Sequence, residues 1–469
     1  MAETRTRVAS VRVLWTLAWP IILARSSQSV VGVCDAAMTA PLGEEALAAT
    51  TTGAVNALTL VILPMGIVFI VQSFAAQLQG KGDLAGARRY AYYGLLVALG
   101  VGLLGVLCTP LIAPVLGLLP YDPVVCDLMT DYMVIRFFAI APIIAIEALG
   151  NWYSGLGNTQ VHMYVSLGIM GFNIVLNWVF IYGNLGAPEM GVAGAALAST
   201  LASWLGFLAI AILFWRGAGT EPIREPLALR RSEFWRMLRF GIPAGVNWFF
   251  EFAAFTLFIN VVVSELGTVA HAAMMAVIQL NSVSFMPAFG MASAGAILAG
   301  QAIGRDDRDA VPGIVRTTVL VVLLWQGSVG ISYVIAPEAY LALFDAPSEN
   351  ADTLRAVGVV LLMISAAWQV FDAIGITLGE VLRSAGDTAW PMWARLALAW
   401  LVFIPSAYFS VHVLGGGAAV AMLCLVGYLA LLAFALLWRF YGSQAWRDID
   451  LTGDELTDDA LGSAASQTT

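Results

Sequence analysis

Runs of about 20 apolar residues recur along nearly the whole chain, and each is long enough to cross a bilayer as a helix. Inside hydrocarbon every backbone N–H and C=O needs a partner within the fold, which leaves helices or closed barrels. Barrel strands would read as alternating segments of about ten residues, and the sequence carries none. An all-α polytopic membrane protein is expected. Composition agrees: of 469 residues, 11% are charged and 60% hydrophobic, where a soluble domain carries about 25% charged residues. The N-terminus bears Arg5, Arg7 and Arg12 and runs into the first apolar stretch without a small-residue cleavage site, so it reads as an uncleaved span.

Twelve spans are expected, over 13–38, 48–77, 88–116, 127–155, 161–184, 190–216, 234–264, 270–302, 310–336, 353–384, 390–413 and 416–441. Basic residues mark alternate loops. Lys81, Arg88 and Arg89 follow span 2; Arg216, Arg224, Arg230 and Arg231 follow span 6; Arg305, Arg308 and Arg316 follow span 8; Arg383 follows span 10; Arg439 and Arg447 follow span 12. The opposite loops carry Glu44, Glu45, Asp122, Glu189, Glu265, Glu338 and Asp345. The positive-inside rule then puts both termini in the cytoplasm of a cell-membrane protein. On this reading 1–216 and 234–441 are two six-span bundles, 217–233 is a cytoplasmic linker, and 442–469 is an acidic, disordered tail.

The two bundles repeat at an offset of about 224 residues. "QLQGKGD" from Gln77 matches "QAIGRDD" from Gln301, "LGEEALAA" from Leu42 matches "LGTVAHAA" from Leu266, and Pro20 matches Pro243. "GLGNT" from Gly155 also matches "SAGDT" from Ser384. Six spans each means both halves insert the same way, so the axis relating them runs along the membrane normal, a geometry suited to alternating access. Prolines inside spans (Pro20, Pro64, Pro142, Pro243, Pro287, Pro405) each remove a backbone hydrogen bond and permit a kink.

A charge at mid-bilayer costs roughly 2.5–3.5 kcal/mol on insertion scales, so such residues face a cavity or a partner. Asp35, Glu251 and Asp372 are the clearest cases; Arg25, Arg136 and Glu147 follow. Asn173 and Asn177 are four apart in span 5 and share a helix face. With Ser199 of span 6 and Asp35 of span 1 they form a candidate oxygen-rich pocket for an alkali cation such as Na+, or for a proton on Asp35. Glu251, with Asn247 on its face and Trp248 beside it, is a candidate site for a lipophilic cation through charge and cation–π attraction; Asp372 of span 10 joins it. Either arginine is expected to anchor a carboxylate of another span, with Glu147 a candidate. Glu380 and Arg383 are expected at the membrane interface. The four cysteines and three histidines show no metal or disulfide spacing. No GxxxxGK, HExxH or GxSxG motif is present, so neither an enzyme nor a cofactor is expected, and an ion gradient is the expected energy source.

These residues resemble the multidrug and toxic compound extrusion (MATE) family, over roughly 13–441. "WPIILARSSQSVVGVCDAAMTAPLGEEALAA" is similar to the family's opening, and "FDAIGITLGEVLRSAGDT" to its span 10. "NIVLNWVFIYGNLGAPEMG" resembles the NorM-like branch, where asparagine stands at Asn177. The resemblance implies a V of two six-helix bundles and export of small organic cations in exchange for Na+ or H+, by a monomer with no nucleic-acid partner. It also implies that Asp35, Asn173, Asn177 and Ser199 are the first half's cation site, and Glu251 and Asp372 the acidic pair of the second. The rival is a lipid-linked saccharide flippase of the same architecture, which would be expected to show a basic cavity.

Overall fold

The helices begin and end where capping chemistry dictates. Ser10 caps the first by accepting from the Val13 amide, Asp83 caps the third span from Gly86, and Asp122 caps span 4 from Val124. Left-handed Gly82 and Gly183 close spans 2 and 5. The computed structural model describes residues 10–222, 226–344 and 351–453. Arg5, Arg7, Arg224, Asp345 and the tail beyond 453 lie outside the described residues. Among the described residues every regular element is helical.

Among the described residues eleven helices are long and apolar enough to cross a membrane, from Val11–Leu42 to Ala418–Ser443. A twelfth crossing is the pair Pro123–Phe137 and Ile140–Gly155, bent by 48°. This pair is span 4, expected over 127–155 with a kink permitted at Pro142. Pro142 explains the break, because it has no N–H for the Phe138 carbonyl four residues back. Span 6 supplies the missing donor: Trp204 Nε1 donates to the Phe138 carbonyl at 3.1 Å, and Thr200 Oγ1 adds a bond at 3.3 Å to the Ile135 carbonyl, which also accepts from the Phe138 amide.

Two hydrophobic clusters form the cores. One is built mainly from spans 2–6, the other mainly from spans 8–12. The linker does not divide them cleanly. Leu14, Leu17, Ala18 and Ile21 of span 1 belong to the second half's cluster, and Met237 of span 7 belongs to the first half's. Among the described spans, span 8, Thr268–Gly304, is the one most enclosed by its neighbours.

The halves meet at the end that carries the basic loops, and the contacts come in matched pairs. Gln77 Nε2 donates to the carbonyl of Ser384 at 2.8 Å, and Gln301 Nε2 to that of Gly155 at 3.2 Å. Donors and acceptors are the repeat-related positions of the sequence. Gly80 and Gly304 are a third such pair: a Cβ on Gly80 would stand 2.3 Å from the Gln301 carbonyl oxygen, and one on Gly304 1.9 Å from that of Gln77. Only glycine permits this approach. Arg383, expected at the membrane interface, is instead buried in this seam. It donates to the Phe69 carbonyl and to Ser73 Oγ, both at 3.1 Å, pairs with buried Glu380 at 2.5 Å, and lies 4.1 Å over the Phe69 ring.

Residues 442–453, expected in a disordered tail, are packed. Trp446 stacks on Phe440 with ring centroids 5.0 Å apart and is 1% exposed. Leu451 is fully buried in the first half's cluster.

Candidate functional site

Span 1 places Asp35 one turn before its end, and spans 5 and 6 bring three polar side chains to it. Asn177 Nδ2 donates to Asp35 Oδ1 at 2.6 Å, and Ser199 Oγ donates to Asp35 Oδ2 at 2.9 Å. Asn173 Nδ2 donates to Ser199 Oγ at 2.8 Å, and Asn177 Nδ2 also reaches Asn173 Oδ1 at 3.2 Å. The four residues expected to form a pocket thus close a ring, all of them buried. In this ring the carboxylate accepts at both oxygens and donates nothing. Asn177 Oδ1 is buried with no partner, the one ring oxygen left over.

The ring forms part of the wall of a cavity of about 290 Å³ inside the first half. Tyr132, Arg136, Gln28 and Glu147 line it beside Asp35, with Val61, Met65 and Ile140 as apolar wall. Glu147 accepts both terminal nitrogens of Arg25 at 3.0 Å and Gln28 Nε2 at 3.0 Å. This bidentate, buried pair is the cross-span partnership expected for Arg25. Arg25 also sits 5.6 Å from the Phe69 and Phe289 ring centroids, one ring from each half. Arg136 differs from expectation. Its Nε and Nη1 have no partner, and it acts on Asp35 through its field alone.

The second half is built otherwise. Asp372 Oδ2 accepts from Gln326 Nε2 of span 9 at 2.7 Å. Glu251 is paired with Arg395 of span 11, which also acts electrostatically on Asp372. Asn247, Phe250, Met392 and Trp400 line the inner side of the pair, and no free volume of solvent size remains among them. Trp248, expected beside Glu251, points to the seam between the halves, packing on Phe69 at 5.0 Å and Phe289 at 6.3 Å. Sequence reasoning missed Arg395 and Gln326. Arg395 stands seven residues after Thr388, close enough to the basic loop to pass for a span-end charge, and Gln326 is neutral. Among the described residues no group of three or more His, Cys, Asp or Glu side chains is placed to hold a metal. The Asp35 ring offers carboxylate, amide and hydroxyl oxygens, a hard donor set suited to an alkali cation and not to a transition metal.

The MatE family profile matches residues 20–179 and 243–409. The probable multidrug resistance protein NorM of Rhizobium meliloti (strain 1021) is 30% identical over 441 residues, covering 90% of this chain and 91% of that protein. The probable NorM of Neisseria meningitidis serogroup B (strain MC58) is 28% identical, covering 91% and 93%. The multidrug resistance protein MdtK of Yersinia pseudotuberculosis serotype O:1b is 25% identical, covering 86% and 88%. Among solved structures, a multidrug resistance MATE family transporter in an outward-facing conformation superposes with a TM-score of 0.84 at 20% identity, covering 92% and 96%. The eukaryotic MATE transporter AtDTX14 gives 0.80 at 18%, covering 95% and 97%. At these identities the superpositions show a shared fold.

Proposed function

This chain belongs to the MatE family, whose members are membrane transporters and not enzymes, and we propose that it exports small organic cations across the cell membrane in exchange for Na+ or H+. The observation that carries the reading is the closed ring around Asp35 in the wall of a cavity of about 290 Å³. The multidrug names of its relatives support drug-like amphipathic cargo.

The ring supports coupling in the following way. An ionised Asp35 is satisfied by two donors, and Asn177 Oδ1 is free. A proton on Asp35 would add a donor, and a sodium ion would add an acceptor-seeking charge. Either arrival engages the spare Asn177 oxygen and redistributes the bonds between spans 1, 5 and 6. The two packings of these spans then differ in affinity for cargo, and that difference is the coupling free energy. By the positive-inside rule the basic loops and both termini face the cytoplasm. The halves meet at that end, so this state opens outward, where the coupling ion would enter. Each half carries its own acidic site, and a monomer suffices.

The test is efflux of a fluorescent organic cation from proteoliposomes under a Na+ gradient or a pH gradient, imposed one at a time. Efflux driven by one gradient and abolished by its dissipation is expected. Folded protein that responds to neither would overturn the antiporter reading and lead to a lipid-linked saccharide assay.

A further inference from the structure

The two halves treat their acidic groups differently. In the first half Asp35 faces an open cavity of about 290 Å³. In the second half the space beside Glu251 is filled, and what fills it is the Arg395 guanidinium. Glu251 and Arg395 come from spans 7 and 11, and the Glu251 side chain is still 46% exposed on its other face, whereas Arg395 is 16% exposed. The guanidinium also acts on Asp372 and lies beside the Tyr428 hydroxyl. Two buried polar atoms at the same place have no partner, Asn247 Oδ1 and Trp400 Nε1. Aromatic faces, a carboxylate and spare polar atoms form a receptor for an amphipathic cation, and its cation position is already occupied by a side chain of the protein.

We infer that Arg395 is a tethered counter-ion that competes with cationic cargo for Glu251. This rests on the transporter reading above and deepens it. Cargo reaches the exposed face of Glu251, takes over the carboxylate, and displaces the guanidinium toward Asp372. When the site must empty, the guanidinium returns and pairs with the carboxylate again. Arg395 therefore weakens ground-state binding and speeds release: it sets affinity against turnover. A purely structural ion pair would instead hold span 7 to span 11, and its removal would damage both quantities.

The experiment measures binding and gradient-driven transport of one permanently charged aryl cation, ethidium, by purified full-length protein and by Arg395→Gln and Arg395→Lys. For Arg395→Gln we expect about fivefold tighter ethidium binding, the scale of a partly exposed ion pair, with a lower maximal transport rate. Arg395→Lys keeps a displaceable charge and should stay near the parent protein in both. Weaker binding by Arg395→Gln, or unchanged binding and rate, would overturn the inference while parent transport leaves the transporter reading standing. If Arg395→Gln does not fold, binding by Arg395→Lys decides: a shorter-reaching, more strongly hydrated ammonium should still bind ethidium within a few-fold of the parent, and loss of binding would mark the pair as structural. Parent protein that moves ethidium under neither gradient would refute the transporter reading, and this inference with it.

Discussion

Asp35 accepts two hydrogen bonds within a ring whose other members are all neutral, so its charge is the one quantity there that an ion or proton can change. Asp35→Asn keeps the shape and removes the charge. It is expected to fold, and to lose gradient-driven efflux on the order of tenfold or more, the range of a coupling free energy of ~1–3 kcal/mol. Full gradient-driven efflux by the variant would exclude Asp35 as the coupling group. The Arg25–Glu147 pair belongs to the same scale but to stability. Both side chains are buried, at 10% and 4% exposure, so Glu147→Gln strands a guanidinium and should cost about 3–5 kcal/mol. Adding Arg25→Gln to it should recover most of that loss. Thermal midpoints of the two variants in detergent check this, and simple additivity would refute it. The Asp35 ring was legible in the sequence because Asn173 and Asn177 share a face at four-residue spacing and a lone aspartate is conspicuous in an apolar span. The Glu251–Arg395 pair was not legible. Its members are 144 residues apart, and nothing local to either announces the other.

At the scale of the element, span 4 shows what hydropathy alone omits. Its composition reads as one crossing, and its proline as a permitted kink. The degree of the bend depends on what takes the carbonyl that Pro142 leaves behind, and the answer lies in span 6. Trp204 donates to the Phe138 carbonyl. Trp204→Phe keeps the ring's apolar area but removes that donor, leaving an unpaired carbonyl in a region without bulk water. The expected cost is about 1–3 kcal/mol, read as a lower thermal midpoint. Trp204→His, which retains an N–H, should lose less. Equal midpoints for Trp204→Phe and the parent would mean that the carbonyl is satisfied without Trp204. Span number and most boundaries follow from length and hydropathy, because the bilayer sets both. Breaks inside a span follow from partners on other helices, which a single span does not reveal.

For the whole molecule, the repeat read from the sequence reappears as symmetric contacts, Gln77 to Ser384 and Gln301 to Gly155. The C-terminal segment breaks that symmetry, and its polar, acidic composition reads as disorder where residues 442–453 are in fact packed. Its path explains why part of it is ordered. Arg447 pairs with Asp309 at 2.9 Å, Arg308 donates to the carbonyls of Arg447 and Ile449, and Arg236 donates to that of Gly453. Leu451 lies against Gly386 of the second half and is buried in the first half's cluster. The segment thus straps the halves together at the end where they already meet. A state open at that end would have to release Leu451, and burial of a leucine is worth about 1.5–3 kcal/mol. Leu451→Asp should therefore raise the population open at the basic-loop end by about tenfold or more. A cysteine placed at Gln77, now 2% exposed, in a background lacking the native cysteines, reports this through its rate of reaction with a maleimide. Faster labelling in Leu451→Asp, with cargo binding retained, is the expected outcome. Equal rates would mean that the strap follows the seam without holding it.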